Sequence, residues 1–431
     1  MQIYQLALRN DPKLQEAEAN RNAILETRPQ SIAKLLPTVS AAGEVNYNSV
    51  LSKFREFELG FIAGGRNIDF WNKTASVTLT QPLYHHESWV QLAQADNQIA
   101  EAEATYAAEE QNLMLRTAKA YFDILLAEDT LAFYLAEQRA ISRQQKQAKA
   151  RYDVGFNSIT DVNEAQASYD QVVANTIAAK NDLENAKETL REIIGNYSGS
   201  LSGLSPDTPF NSPQPNDIKN WSAQALKNNL TIIAAENNAE VTKKNIDLKY
   251  SGHLPSLDLV GTAGILDTDR PFGISTEYQV IGVQLKVPLF AGGSVNSQVR
   301  QAQQQLTAAQ SKLDAQRRAV NRQVKNAFLG VNSAMNQIQA LKATVKSSES
   351  ALKATEMGFE LGMRTMVDVL TAQKNHYRSL RDYAKSSYDY IINSLTLKQS
   401  ASILQLEDLA LINHWLNKEA SRNLDKNNAT D

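Results

Sequence analysis

A chain of 431 residues with only 18 Gly and 11 Pro is poor in the residues that break helices and strands, so long uninterrupted elements are expected. With 44 Lys+Arg against 47 Asp+Glu, a formal net charge of -3 and no basic tract, it lacks the footprint of a nucleic-acid binder. Zero Cys excludes disulfides, Cys-ligated zinc, iron–sulfur clusters and a thiol nucleophile, and no stretch approaches the roughly 18 apolar residues of a membrane-spanning helix.

Met1-Gln2-Ile3-Tyr4-Gln5 opens directly into a polar amphipathic helical pattern rather than a signal peptide. Breakers collect around Pro29–Pro37, and strict alternation is found in Thr38-Val39-Ser40-Ala41 and Thr74-Ala75-Ser76-Val77-Thr78-Leu79-Thr80. Period two predicts strands with one apolar and one polar face, here a β-hairpin over about 38–82. Between Pro82 and Gly155 there is neither Gly nor Pro, which predicts a helix from about Glu87 to Tyr152, on the order of 100 Å long at ~1.5 Å per residue. A tight turn at Gly155 and a second helix to about residue 194 complete a helical hairpin over 87–194, and the connector Gly195–Pro215 follows.

The same order then recurs. A helical pattern leads to alternating Leu257-Asp258-Leu259 and Ile281-Gly282-Val283-Gln284-Leu285-Lys286-Val287, a second hairpin over about 256–288. A helical hairpin over about 293–404 has its turn near Gly362. Its first arm carries heptad spacing in Leu306, Leu313 and Val320, then, after a stutter, in Val324, Val331, Ile338, Val345 and Leu352. Ala327, Ala334, Leu341 and Ser348 fill the d positions, mostly small, so closely packed coiled-coil helices with a wet outer surface are expected. Residues 405–431 form a C-terminal segment whose tail, after about Leu416, reads as exposed.

The recurrence is an internal duplication. Ala7-Leu8-Arg9-Asn10-Asp11 returns as Ala225-Leu226-Lys227-Asn228-Asn229, and Leu36-Pro37 as Leu254-Pro255. Pro82-Leu83-Tyr84 returns as Pro288-Leu289-Phe290, and Ala120-Tyr121-Phe122 roughly as Asn326-Ala327-Phe328. Gly155, Asp161-Val162 and Ala165-Gln166 match Gly362, Asp368-Val369 and Ala372-Gln373. The offset shortens by about a dozen residues inside the hairpin, so the first copy carries the excess in its loop, the tolerated place for a length change. The chain is therefore expected to divide into a first structural repeat, 1–216, a second, 217–404, and the terminal segment 405–431.

Tyr47, Phe54, Phe57, Phe70, Trp71, Tyr84, Phe272, Tyr278 and Phe290 sit near the strand ends, as aromatic girdles do in transmembrane barrels. Each strand has room for about 10–12 residues, enough to cross a bilayer when tilted. Four strands cannot close a barrel, so a membrane reading requires oligomerisation: a dimer supplies eight strands and a trimer twelve. The residues alone also admit a soluble coiled-coil scaffold whose alternating segments are ordinary hairpins. A β-barrel enzyme would need a buried titratable cluster, and the sequence offers no Ser/His/Asp or paired-carboxylate arrangement and no phosphate loop. Gly64-Gly65 and Gly292-Gly293 read as turns, and His85-His86 as packing rather than a metal site.

Several segments, in order and spacing, resemble the TolC family of outer-membrane efflux and secretion channels. They are Ser158-Ile159-Thr160-Asp161-Val162, Leu190-Arg191-Glu192-Ile193-Ile194-Gly195-Asn196-Tyr197, His253-Leu254-Pro255-Ser256-Leu257-Asp258-Leu259, Pro288-Leu289-Phe290-Ala291-Gly292-Gly293 and Gly362-Met363-Arg364-Thr365-Met366-Val367-Asp368-Val369-Leu370. The resemblance runs from about Ile3 to Leu411. It implies a mixed α and β membrane protein, a long-helix coiled-coil α-barrel joined to a transmembrane β-barrel, twelve-stranded as a homotrimer. It further implies the outer membrane of a Gram-negative bacterium with the tunnel in the periplasm. The implied role is an exit duct for multidrug efflux or type I protein secretion, without enzymatic activity or cofactor. A periplasmic adaptor protein, an inner-membrane efflux pump or ABC transporter and outer-membrane lipid would be its partners.

By the same resemblance the hairpin tips at Gly155 and Gly362 form the periplasmic entrance. Arg364 matches an arginine that ties the inner hairpin to a Thr-Asp pair, here Thr160 and Asp161. Phe359 stands where family members often carry a gate tyrosine. The family's constriction has two aspartates three apart; Asp368 keeps the first and Thr371 replaces the second, leaving a ring of three carboxylates as a cation filter.

Overall fold

The computed structural model describes residues 1–52, 66–156, 158–197, 199–270 and 273–423. Phe54, Phe57, Gly64, Gly65, Phe272 and the final residues 424–431 lie outside the described residues. In chain order the elements are α1 (Gln2–Asn10), α2 (Pro12–Leu25), α3 (Thr27–Ala33), β1 (Thr38–Ser52), β2 (Arg66–Tyr84), α4 (His86–Asp153) and α5 (Ile159–Ile194). There follow β3 (Ser200–Leu204), α6 (Ile218–Asn228), α7 (Leu230–Tyr250), β4 (Ser256–Thr268), β5 (Thr276–Lys286), α8 (Ser294–Glu360), α9 (Met366–Ser400), α10 (Leu406–His414) and β6 (Leu416–Asn423). The helix expected over 87–152 is α4, 68 residues long, and its counterpart α8 has 67. No described helix is long and apolar enough to cross a membrane.

The chain forms two compact units, each assembled from both halves of the sequence. One comprises Arg21–Ala102 and Ala235–Leu313 and contains a four-stranded antiparallel sheet in the order β1-β2-β4-β5. Residues directly opposite share a face. Val45↔Lys73, Tyr47↔Trp71 and Ala41↔Val77 in the first hairpin, Val77↔Ala263 across the centre, and Leu259↔Val283 and Leu257↔Leu285 in the second give one largely apolar face. Its side chains stand exposed, among them Val39, Val45, Tyr47, Val77, Val283 and Leu285. The other face carries Ser40↔Thr78↔Thr262 and Glu44↔Thr74, with the Thr78 and Thr262 hydroxyls 3.2 Å apart. On this polar face the Tyr278 ring lies over Gly264, where a Cβ would come within 2.8 Å of it. Among the described residues β1 and β5 are the sheet edges, with one neighbour each.

Polar side chains join the helices of this unit. Lys244 Nζ donates to Ala93 O at 2.7 Å and to Asn97 Oδ1 at 2.6 Å, tying α7 to α4. Gln94 Nε2 donates to Val241 O at 3.1 Å, and Arg28 Nε reaches Asp96 Oδ1 at 3.3 Å. His85 Nε2 lies 3.0 Å from Asp258 Oδ1.

The second unit comprises Met1–Asn20, Glu103–Ala234 and Asp314–Asp431. The heptad stripe of α8 is buried at its centre, through Val320, Val324, Ala327, Val331, Ala334 and Ile338. Leu341, Val345, Ser348 and Leu352 are half-buried. A buried ion pair fixes α1's end: Arg116 Nη1 meets Asp11 Oδ2 at 3.1 Å, and its Nη2 meets Glu109 Oε1 at 2.7 Å.

The C-terminal segment contains a strand. Leu416–Asn423 forms β6, antiparallel to β3 with Leu204 opposite Leu416. β3 is itself fastened to α4. The Tyr121 hydroxyl donates to Ser202 O at 2.7 Å and accepts from Ser202 N–H at 2.9 Å. Burial pushes that hydroxyl's pKa up to about 12. The run Leu416-Asn417-Lys418-Glu419-Ala420 has no alternation to announce it as the partner of Ser200–Leu204.

Candidate functional site

Both long helices end in the same way, and both successors begin in the same way. At the α4 end, Gly155 N–H donates to Tyr152 O at 2.9 Å and Phe156 N–H to Arg151 O at 2.8 Å. At the α8 end, Gly362 N–H donates to Phe359 O at 3.1 Å and Met363 N–H to Gly358 O at 2.8 Å. These paired bonds are Schellman closures, which need a left-handed residue; Gly155 and Gly362 adopt φ of 82° and 75°. Three residues after each glycine a hydroxyl caps the next helix. Asp161 N–H donates to Ser158 Oγ at 3.3 Å while Ser158 N–H donates to Asp161 Oδ2 at 3.2 Å. Asp368 N–H donates to Thr365 Oγ1 at 3.2 Å while Thr365 N–H donates to Asp368 Oδ2 at 2.9 Å. The two tips are thus equivalent, and Asp161 and Asp368 hold the same station in them.

That geometry sets Asp368's chemistry. The Thr365 backbone N–H and then its hydroxyl hold the carboxyl below its ordinary value; desolvation opposes them, and the nearby Arg364 charge adds a lesser lowering effect. Arg364 and Asp161 form no ion pair within the chain among the described residues, and Arg364 and Thr160 are both exposed. Arg364 is positioned by a residue that sequence reasoning missed. Its N–H donates to Gly358 O at 3.2 Å, and its Cγ lies 2.9 Å from where a Cβ on Gly358 would stand.

Beneath the tips all four long helices share a core. Ile141 and Ala148 of α4, Ala165 and Val172 of α5, Phe359 of α8, and Met366, Val369 and Leu370 of α9 pack together. Phe359, 9% exposed, has the Arg151 guanidinium carbon 4.9 Å from its ring centroid. The Phe359 ring is thus held by packing and a cation–π contact. Thr371 lines a cavity of about 560 Å³ together with Glu137, Glu164, Gln171 and Lys374. Farther along, Arg381 Nη1 of α9 meets Glu137 Oε2 of α4 at 2.8 Å, with its guanidinium carbon 4.1 Å from the Tyr134 ring centroid. No local signal announces this pair, whereas the capping boxes were visible as Ser158-x-x-Asp161 and Thr365-x-x-Asp368. At the tips themselves Val154, Phe156, Leu361 and Met363 are exposed. Among the described residues no acidic, His or Cys group could hold a metal ion.

Residues 3–196 and 221–402 match the family model described as outer membrane efflux protein. The chain is similar to outer membrane protein TolC of Vibrio cholerae serotype O1, 36% identical over 420 residues covering 96% of this chain and 93% of that one. It is also similar to the proteases secretion protein PrtF of Dickeya chrysanthemi, 27% identical over 420 residues covering 96% and 90%. Among solved structures, the Campylobacter jejuni CmeC outer membrane channel shares its fold, with a TM-score of 0.79 over 97% of this chain and 90% of that one, at 14% identity.

Proposed function

The chain belongs to the outer membrane efflux protein family and is an exit duct of the Gram-negative outer membrane, and from that premise we propose how its parts serve the duct. Three copies close one barrel of strands in the outer membrane and one tunnel of helices in the periplasm, the repeats 1–216 and 217–404 alternating around it. The observation that carries this reading is the sheet: its apolar face is exposed and, among the described residues, its outer strands β1 and β5 each lack a second neighbour. Unpaired strand edges do not persist in lipid, so further copies must supply the missing neighbours.

The periplasmic entrance lies at the tips around Gly155 and Gly362. Arg364 of one copy holds the resting gate by pairing with Thr160 and Asp161 of the next, and the exposure of Arg364 and Thr160 supports a partner outside the chain. Asp368 rings the constriction as three carboxylates, with Thr371 beside it and Phe359 bracing the inner hairpin from behind. A periplasmic adaptor and an inner-membrane pump or ABC transporter engage the tips, where Val154, Phe156, Leu361 and Met363 offer apolar contacts. Cargo includes polypeptides as well as small molecules, a reading supported by the likeness to a protein named for protease secretion. The chain catalyses nothing in this scheme; it provides the path and the gate.

Detergent extraction followed by planar-bilayer recording tests the proposal. The purified protein is expected to require detergent, to have the mass of a trimer and to conduct ions. A detergent-free monomer without conductance would overturn it.

A further inference from the structure

The two hairpins obey one register. Thr38 opposes Thr80 in the first, and Ser256 opposes Lys286 in the second. These are the same positions under the offsets by which Leu36-Pro37 becomes Leu254-Pro255 and Pro82 becomes Pro288. The correspondence holds to the far end of the second hairpin, where Asn48↔Phe70 becomes Leu266↔Thr276. The duplication therefore survives at the level of individual backbone pairs.

One junction between repeats lies inside the chain, where β2 of the first meets β4 of the second. The junction from β5 onward to a β1 lies between copies. We infer that the internal junction is the template for the external one, so that β2–β4 pairing specifies how β5 of one copy meets β1 of the next. This rests on the trimer proposed above and adds the residues that join its members.

The transfer is definite. Val77↔Ala263 becomes Val283 opposite Val45 of the next copy, Ala75↔Ile265 becomes Ile281 opposite Tyr47, and Thr78↔Thr262 becomes Gln284 opposite Glu44. Val283 and Ile281 lie on the apolar face of β5, and Val45 and Tyr47 on that of β1, so lipid-facing residues meet lipid-facing ones. A slip of one residue would place each against a polar-face neighbour. On the polar face the Thr78–Thr262 contact becomes a Gln284–Glu44 hydrogen bond, with Lys286 diagonal to Glu44 and of opposite charge.

The template also explains Pro288-Leu289-Phe290. Its counterpart Pro82-Leu83-Tyr84 belongs to β2 and pairs with β4 across a bulge, Tyr84 opposite Leu257. In the second repeat the strand stops at Lys286, and Leu289 and Phe290 are 92% and 88% exposed. The missing partner is the next copy's β1. On assembly β5 lengthens to Phe290, which comes to lie opposite Val39.

The chain has no Cys, so introduced thiols report only on themselves. Val45→Cys with Val283→Cys, and Glu44→Cys with Gln284→Cys, sample adjacent pairs, one hydrogen-bonded and one not, on opposite faces. Within one chain the two edges lie three strand spacings apart, roughly 14 Å at ~4.8 Å each, beyond the ~7 Å limit for a disulfide. Oxidation with copper–phenanthroline of the detergent-solubilised full chain should give covalent, reductant-sensitive trimers from at least one of these pairs. Val45→Cys with Leu285→Cys, shifted by two residues, should cross-link at least tenfold more slowly. Faster linking by the shifted pair, or none by either opposed pair in material that light scattering sizes as a trimer, would overturn the register alone. A monomer by light scattering would overturn the trimer with it.

Discussion

Glu137 and Arg381 belong to different helical hairpins, and their side chains are only 6% and 15% exposed. Replacing Arg381 with Met preserves much of the side chain's length but leaves the Glu137 carboxylate with little water and without the cation 2.8 Å away. Breaking a buried pair from one side costs about 3–5 kcal/mol, because the remaining charge is uncompensated. The contact with Tyr134 adds part of ~1–2 kcal/mol. At roughly 1 °C of melting temperature per kcal/mol for a chain of this size, the midpoint should fall by about 3–6 °C, read by circular dichroism in detergent. Removing both charges, in Glu137→Leu with Arg381→Met, should recover most of that loss, since no stranded charge is left. Arg317→Met provides the reference. Its pair with Asp314, 3.8 Å apart with side chains 45% and 65% exposed, is worth under about 1 kcal/mol. A midpoint for Arg381→Met no lower than for Arg317→Met, or a double variant as unstable as the single, would refute the reasoning.

Arg364→Ser should raise planar-bilayer conductance by loosening the resting tip, and wild-type conductance would count against the gate assignment. Asp368→Asn should reduce cation selectivity, and an unaltered reversal potential would remove the filter role. The Asp368 carboxyl is held below its ordinary value of 3.8, so its charge, and the capping box that uses it, are in place above that pH. They are lost as pH falls through the lower native value, so selectivity should hold from pH 7 to about 4 and decline only beneath it. Gly155→Ala and Gly362→Ala meet no atom within 4 Å, so any cost is backbone strain at positive φ. About 1–2 kcal/mol is expected for each, with Asn tolerated better; equal melting temperatures for Gly, Ala and Asn would show that the closures are not strained.

The long helices and membrane hairpins were legible because their signals are local. Strict alternation around Thr74–Thr80 and the absence of Gly or Pro between Pro82 and Gly155 each report on one element. The glycines mark the tips, and the Ser158-x-x-Asp161 and Thr365-x-x-Asp368 capping patterns beside them are equally local signals. Asp161 and Asp368 were read through what faces them from outside, while the structure shows what each does for its own helix. Contacts such as Glu137 with Arg381, or Leu204 opposite Leu416, arise from how distant segments pack, and no window of sequence contains both members. The burial of Phe359 against Arg151 has the same origin.

The interleaving of the two compact units bears on how the molecule can form. Every unit draws on both halves of the chain, so the first half on its own completes neither. As the chain emerges N-terminus first, β2 must wait for β4, whose last residue is Thr268, and β3 must wait for β6, which begins at Leu416. Non-local pairings of this kind slow folding far more than they weaken the finished state, because closing a longer loop costs only about 0.6 kcal/mol for each doubling. Until β4 and β6 are available, β2 and β3 present unpaired strand edges, the condition under which incompletely folded chains aggregate. Its period of greatest vulnerability therefore falls before the duct exists, and shortening the chain at its C-terminal end should prolong it.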